Sequence, residues 1–321
     1  MNAMSNAEVI DHEFNRLREK LPLWLQENRR FCRDGKVASY IPELSKASGN
    51  HLGIHIIDAS GRSLSAGDCG VAFTMQSISK VFTLLLALMD RGEEAVFDKV
   101  GMEPTGDQFN SMLKLELVQP SIPFNPMINA GAIVISSLIN GSGPAEKSER
   151  TLQFFRLLAG NNKLDFDNDV YRTESASADL NRSMAYFLKD KGVLACPVDE
   201  VLEVYFKHCS INATCSDLAR MALVLASGGR DPVTGAALIP RRYVQIAKTF
   251  MITCGMYNAS GQFAIQVGLP AKSGVAGGIL TLVPGKYGIG VFGPALNPKG
   301  NSSAGVRLLE TLSKEMNWSL F

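Results

Sequence analysis

Two hairpin signals at opposite ends of the 321-residue chain constrain its fold more than any other feature of the sequence. Residues 52–58, LGIHIID, set β-branched apolar positions ahead of a Ser-Gly turn at Ala59–Arg62 and read as a strand opening a hairpin. Near the other end, GILTLV (278–283) and YGIGVF (287–292) flank Pro284-Gly285-Lys286, two short strands around a tight connection. Between these signals the hydrophobic period becomes helical. Residues 74–91 predict a helix apolar on all sides, hence buried, and stopped by Gly92. Helical stripes also run over 151–159 (Leu152, Phe155, Leu158, stopped by Gly160) and 178–190 (Leu180, Met184, Phe187, Leu188). Another runs over 216–227, with Ser216 as N-cap and Gly228-Gly229 as terminator, and a last helix over 302–315 uses Val306, Leu309 and Leu312. GSGPAEK, 141–147, reads as a surface turn between helices.

Strands at both ends with helices between them predict an α+β fold in which one antiparallel sheet is built from both chain ends, flanked by helices and packed against a central helical subdomain. The expected organisation is a single domain, 1–321, with 1–80 plus 235–321 forming the sheet subdomain and 81–234 the helical one. A small-molecule site is expected in the cleft between them, since pockets favour such junctions.

Composition removes several classes of function. Lys plus Arg number 32 against 31 Asp plus Glu, a net charge of +1, so no bulk field favours nucleic acid or an acidic membrane surface. Met1–Asn28 is polar and charged, without the apolar core of a secretory signal, and the longest apolar run, Val81–Met89, is far short of the roughly 20 residues that span a bilayer. A cytoplasmic location is expected. The six cysteines form no CxxC pair and read as reduced thiols, while the four histidines show no metal-ligand spacing, and His55 reads as an imidazole packed within its strand. Catalysis is expected to need neither metal nor histidine.

The sharpest chemical signal is Ser77-Ile78-Ser79-Lys80 at the start of the apolar helix, because residues three apart on a helix share a face and an amine there can reach the hydroxyl. Serine needs a base to act as a nucleophile, and a lysine desolvated among apolar side chains has its pKa lowered until it can serve. Backbone N–H groups of the first helical turn favour developing negative charge. S-x-x-K alone is a pattern that chance supplies often, but Lys272-Ser273-Gly274 precedes the strand at 278–283, and this pairing is the one found in penicillin-recognising serine enzymes.

Five longer stretches carry a more specific likeness: GKVASYIPEL (35–44), FTMQSISKVF (73–82), PFNPMINAGAI (123–133), CGMYNASGQFA (254–264) and VGLPAKSGVAGGI (267–279). From about Lys36 to Asn301 the chain resembles the serine-dependent glutaminases, which share the overall fold of the serine β-lactamases. The resemblance implies cofactor-free hydrolysis of L-glutamine to L-glutamate and ammonia, with Ser77 as nucleophile, Lys80 as general base and an oxyanion hole of the Ser77 and Val275 backbone N–H groups, kept sterically open by Gly277 and Gly278. It also implies that Tyr40, Asn129, Glu174, Asn181, Tyr205 and Tyr257 contact substrate, with Tyr257 delivering a proton to departing ammonia, and that the protein is a homodimer or homotetramer. Chemically, the Glu174 carboxylate suits an α-ammonium and the two asparagines suit an α-carboxylate. Two alternatives stay open at this point: a serine hydrolase of β-lactam or peptide amides, and a non-enzymatic amino-acid-binding module. Against the first, the nearest approach to S-D-N is Ser216-Asp217-Leu218, which reads as an N-cap and first turn, and no deacylating glutamate is evident.

Overall fold

The computed structural model describes residues 6–106 and 121–321, with side chains from residue 11 onward. Among the described residues seven strands run in chain order: β1 (Gly53–Asp58), β2 (Ser63–Gly67), β3 (Phe73–Thr74), β4 (Asn212–Ala213), β5 (Ala271–Ser273), β6 (Gly278–Val283) and β7 (Tyr287–Phe292). Five of them form one antiparallel sheet in the order β2-β1-β7-β6-β5, so both ends of the chain do build it, and β7 at its centre pairs with β1 from Gly53↔Phe292 to Asp58↔Tyr287. The β1–β2 turn forms because the buried Asp58 carboxylate accepts hydrogen bonds from the backbone N–H groups of Ser60 and Arg62, both at 2.9 Å.

Alternation along the strands separates two cores. Ile54, Ile56, Ile279, Ile289 and Val291 face one side, where they meet Phe14, Leu17, Leu21 and Trp24 of helix α1 (Asn6–Arg29) and Leu308, Leu309 and Leu312 of the last helix, Ser303–Met316. The other face, with Leu280, Leu282 and Phe292, belongs to the helical core. Helix Cys215–Ala226, from the middle of the chain, lies directly on that face. Ideal Cβ atoms at Gly288 and Gly290 would stand 2.1 Å from the carbonyl oxygens of Ala219 and Cys215, so the glycines of YGIGVF let the helix backbone touch the sheet. Gly288→Ala is therefore expected to lower stability by about 2–3 kcal/mol, read as a lower urea midpoint at unchanged slope. A midpoint equal to wild type would show that the helix withdraws freely.

Several expected boundaries change. Within 74–91, Phe73–Thr74 pairs with Asn212–Ala213, Gln76–Ile78 is a 3-10 turn, and the α-helix starts at Ser79. The Met75 N–H is tied to the Ile211 carbonyl at 2.8 Å, a tertiary bond that extends the Phe73–Thr74 pairing, and Gln76 beyond it is left-handed, so the helix starts later than periodicity alone reads. Gly92 breaks the helical geometry (φ 81°, ψ 169°), yet the helix resumes to Phe97. The GSGPAEK segment is less of a turn than expected, because Pro144 opens the helix Pro144–Ala159, a first position where its missing N–H costs nothing. Thr214, not Ser216, caps the helix at 215, in a reciprocal capping box with Asp217. His55 is only partly buried and its Nδ1 lies 2.7 Å from the Ser65 hydroxyl, so it bonds across the hairpin and does not pack in the core.

Candidate active site

A cavity of ≈ 720 Å³ is lined by eight of the residues singled out from the sequence: Tyr40, Ser77, Asn129, Glu174, Asn181, Tyr205, Tyr257 and Val275. They come from distant parts of the chain. The loop bearing Tyr40 is held at the cavity mouth by reciprocal Lys36–Leu296 backbone hydrogen bonds, both 2.9 Å, which place it beside the 296–300 loop. Tyr40 remains 58% exposed, whereas Ser77, Asn129, Glu174, Tyr205 and Val275 are buried. Ser77 sits in the 3-10 turn that leads into the apolar helix. The residue before it, Gln76, has φ +48°, and Tyr257 across the cavity has φ +56°. Such left-handed backbone at non-glycine positions costs about 1–3 kcal/mol and persists only where the surroundings impose it.

Lys80, one turn beyond Ser77, is not part of the cavity lining; it is fully buried behind it. Its amine donates to Asn129 Oδ1 at 2.6 Å and to the Met127 carbonyl at 3.3 Å, and it lies 6.0 Å from the centre of the Tyr205 ring. Burial lowers its pKa to about 8, against the opposing pull of Cys209 and Glu174. Asn129 is delivered by the PFNPMINAGAI stretch: Asn125 Oδ1 accepts from the Met127 and Ile128 N–H groups at 2.9 and 3.2 Å and so turns the chain into the helix Asn129–Leu138. The other end of the Asn129 amide donates to Asn181 Oδ1 at 3.0 Å, linking the two asparagines. Glu174, on the helix Asn168–Ala176, accepts from the Gln76 amide at 3.4 Å. Burial raises its pKa to about 7, while that hydrogen bond and the Lys80 charge work in the opposite direction.

On the far wall the Tyr257 phenol donates to the Ser273 carbonyl at 3.1 Å. Burial raises its pKa, and a hydrogen bond with the Ser77 side chain offsets part of that rise. Lys272 is fully buried beside it, donating to the Ser273 and Gly255 carbonyls at 2.7 and 3.1 Å with its amine nitrogen 4.4 Å from the Tyr257 ring centre, and burial pushes its pKa well down. Gly274 lets the strand backbone pass close to the segment that bears Ser77: a Cβ there would stand 2.5 Å from the Met75 carbonyl. The sequence reading that Gly277 and Gly278 keep this region sterically open does not hold. Cβ atoms on them would meet Pro294 Cα at 2.4 Å and the Phe73 ring at 2.5 Å, so these glycines permit tight packing behind the wall.

Sequence reasoning passed over other lining residues, among them Gln76, Asn258, Lys36 and Lys299. The first was within reach, since it adjoins Ser77 in FTMQSISKVF; the two lysines lie in loops with no spacing to mark them.

Among the described residues no helix is long and apolar enough to cross a membrane. The family profile described as Glutaminase matches residues 35–321. A glutaminase of Alkaliphilus metalliredigens is 54% identical over 305 residues, 95% of this chain and 100% of that protein; one of Geobacillus thermodenitrificans is 54% identical over 304 residues, 95% and 98%. The crystal structure of a probable glutaminase of Bacillus subtilis superposes with a TM-score of 0.90 at 41% identity, covering 95% of this chain and 98% of the other. A second B. subtilis glutaminase structure, a covalent complex with 5-oxo-L-norleucine formed by reaction with 6-diazo-5-oxo-L-norleucine, matches with a TM-score of 0.87 at 41% identity, over 95% and 99% of the two chains. With a profile match across most of the chain and relatives above half identity over nearly all of it, this protein belongs to the glutaminase family, hydrolases that act on an amide, and shares their β-lactamase-like fold.

Proposed function

We propose that the chain hydrolyses free L-glutamine to L-glutamate and ammonia through an acyl-enzyme on Ser77, with Lys80 as the general base. The observation that carries this reading is the hydrogen-bond count at Lys80. A neutral amine has two N–H donors and one lone pair; Asn129 Oδ1 and the Met127 carbonyl take both donors, which leaves the lone pair for a proton from the neighbouring turn. In the first half-reaction Ser77 Oγ bonds to the side-chain carboxamide carbon, its proton passes to Lys80, and the oxyanion is received by the Ser77 and Val275 N–H groups. The C–N bond then breaks as Tyr257, kept protonated by burial, delivers the proton that makes the leaving group ammonia. In the second half-reaction water adds to the acyl carbon and gives its proton to Tyr257, while Lys80 returns the first proton to Ser77 Oγ as the ester bond breaks, so glutamate leaves and all three groups are restored.

Glu174 receives the α-ammonium in this reading, and Asn129 with Asn181 the α-carboxylate, which selects a free amino acid over a peptide-bound side chain. Glu174→Gln is expected to weaken glutamine binding by about 1.5–3 kcal/mol, roughly 10- to 150-fold in KM, at nearly constant kcat. An unchanged KM would remove Glu174 from the recognition of substrate. The pH dependence follows from the signs of the two shifts. Lys80 works deprotonated and Glu174 works charged, so both active forms gain population as pH rises past about 7 and about 8. Accordingly, kcat/KM should climb between pH 6 and 9, and a flat profile there would count against a titrating base.

The direct test is treatment with 6-diazo-5-oxo-L-norleucine followed by intact mass and peptide mapping. One adduct on the peptide bearing Ser77 is expected, and an adduct elsewhere overturns the assignment. The reading also takes the working enzyme as a cytoplasmic homodimer or homotetramer acting without a nucleic-acid or membrane partner. Six free cysteines and a net charge of +1 support the compartment and the lack of a polyanionic partner, and light scattering on the purified chain measures the assembly.

A further inference from the structure

Behind the Ser77 turn lies a chain of polar contacts that the mechanism above leaves unused. The Ser79 hydroxyl donates to the Gln76 carbonyl at 2.6 Å and lies 2.8 Å from His208 Nδ1; His208 Nε2 lies 3.1 Å from the Ser136 hydroxyl, which in turn lies 2.8 Å from the Ala132 carbonyl. All three side chains are buried. Burial, reinforced by the Lys80 charge, lowers the His208 pKa to about 3, so the ring is neutral in the working range. Besides the 3.8 Å contact of the Cys209 sulfur with Nδ1, the chain has four contacts, for which a neutral imidazole and two hydroxyls hold three protons. One contact must go without a proton.

The shortest contact, Ser79 to Gln76, keeps its proton. With the Ser79 proton committed to the carbonyl, Ser79 Oγ can bond to the ring only as an acceptor, which requires the His208 proton on Nδ1. Ser136 keeps its proton on the Ala132 carbonyl, and the contact given up is the longest, His208 Nε2 to Ser136 at 3.1 Å. The Gln76 carbonyl matters because it and the Ser77 N–H belong to one planar trans peptide and point in opposite directions. Fixing the carbonyl therefore aims the amide. That peptide follows a residue in the left-handed region (φ +48°), which would relax if it were released.

We propose that His208 is a positioning residue for the reaction: through the Ser79 hydroxyl it holds the Gln76–Ser77 peptide in the orientation that points the Ser77 N–H at the developing oxyanion. The inference rests on the reading of that amide as an oxyanion donor, given above. It assigns a function to a buried histidine that does not touch substrate. It also predicts a split in the kinetics, because an oxyanion donor acts on the transition state and leaves ground-state binding alone.

The experiment compares His208→Leu, His208→Asn and Ser79→Ala with wild type in glutamine hydrolysis, with melting temperature recorded for each. His208→Leu is expected to lower kcat about tenfold or more with KM within about twofold. His208→Asn places an amide N–H near the Nδ1 position and should keep kcat within about threefold of wild type. Ser79→Ala should resemble His208→Leu, and the double variant should be no worse than either single one. In the wild-type protein, ¹⁵N NMR of the imidazoles, with the His208 signal assigned by its loss in His208→Asn, should show the Nδ1–H tautomer; an Nε2–H tautomer overturns the proposal. So does wild-type kcat in His208→Leu, or an equal loss in Leu and Asn variants that both melt like wild type. If His208→Leu does not fold, Ser79→Ala and the tautomer decide. Absence of glutamine turnover in the wild type would sink the functional reading instead, and the two failures are distinguishable.

Discussion

Ser77→Ala is expected to cut kcat for glutamine by roughly 10⁴-fold or more while leaving glutamine bound. Without the Oγ nucleophile, water has to attack the carboxamide unaided, but the groups assigned to the substrate's charged ends, Glu174, Asn129 and Asn181, stay where the fold puts them. Calorimetric titration of the variant should give a dissociation constant close to that of the wild type for glutamate, and covalent labelling by the diazo-ketone should disappear. The same experiment separates an enzyme from an amino-acid-binding module on this scaffold, since a binder would be indifferent to the change. Undiminished hydrolysis in Ser77→Ala would refute the acyl-enzyme.

Lys80 gives the second large effect, and here the choice of substitution matters. Lys80→Ala would leave Asn129 Oδ1 and the Met127 carbonyl without their buried donor and open a cavity, mixing a stability loss with a kinetic one. Lys80→Met fills more of the space, and Lys80→Arg keeps the positive charge and donors but cannot deprotonate. Both are expected to lower kcat by about 10²–10⁴-fold, with KM changed little, and to remove the rise in activity through pH 8. Restoration of most of the rate by arginine would mean that Lys80 acts through its charge, and the base would have to be sought elsewhere. Equal turnover of a chromogenic cephalosporin by wild type and Lys80→Met would set that background aside as unrelated to this site.

Local features of the fold were legible because the chemistry that dictates them is local. The hairpin at 278–292 is specified by apolar strands and a three-residue turn, and Gly160 and Gly228-Gly229 end their helices through positive φ. Helix α1 was missed for an equally physical reason. Its buried stripe, Phe14, Leu17, Leu21, Trp24 and Leu25, is present at helical spacing, but the charged residues between them dominate any reading of the segment as a whole. The start of the helix at Ser79 depended on the short pairing of Phe73–Thr74 with Asn212–Ala213 and the bond from Met75 to Ile211, residues far along the chain that no local pattern announces.

The candidate site divides in the same way. Ser77 and Lys80 could be picked out because they stand three residues apart where the apolar run begins, whereas Gly277 and Gly278 were read as leaving open space and instead allow close packing. Gln76 meets Glu174 across 98 positions, Lys80 meets Asn129 across 49, and Ser79 meets His208 across 129. The sequence by itself therefore marked Ser77 and Lys80 as a candidate nucleophile and base, because that pairing is a property of two residue types and of one turn of backbone. Only the tertiary structure decided that the Lys80 amine is poised near pH 8, that Glu174 is held near pH 7 and that His208 stays neutral, because desolvation sums over every atom packed around a group and those atoms come from all parts of the chain.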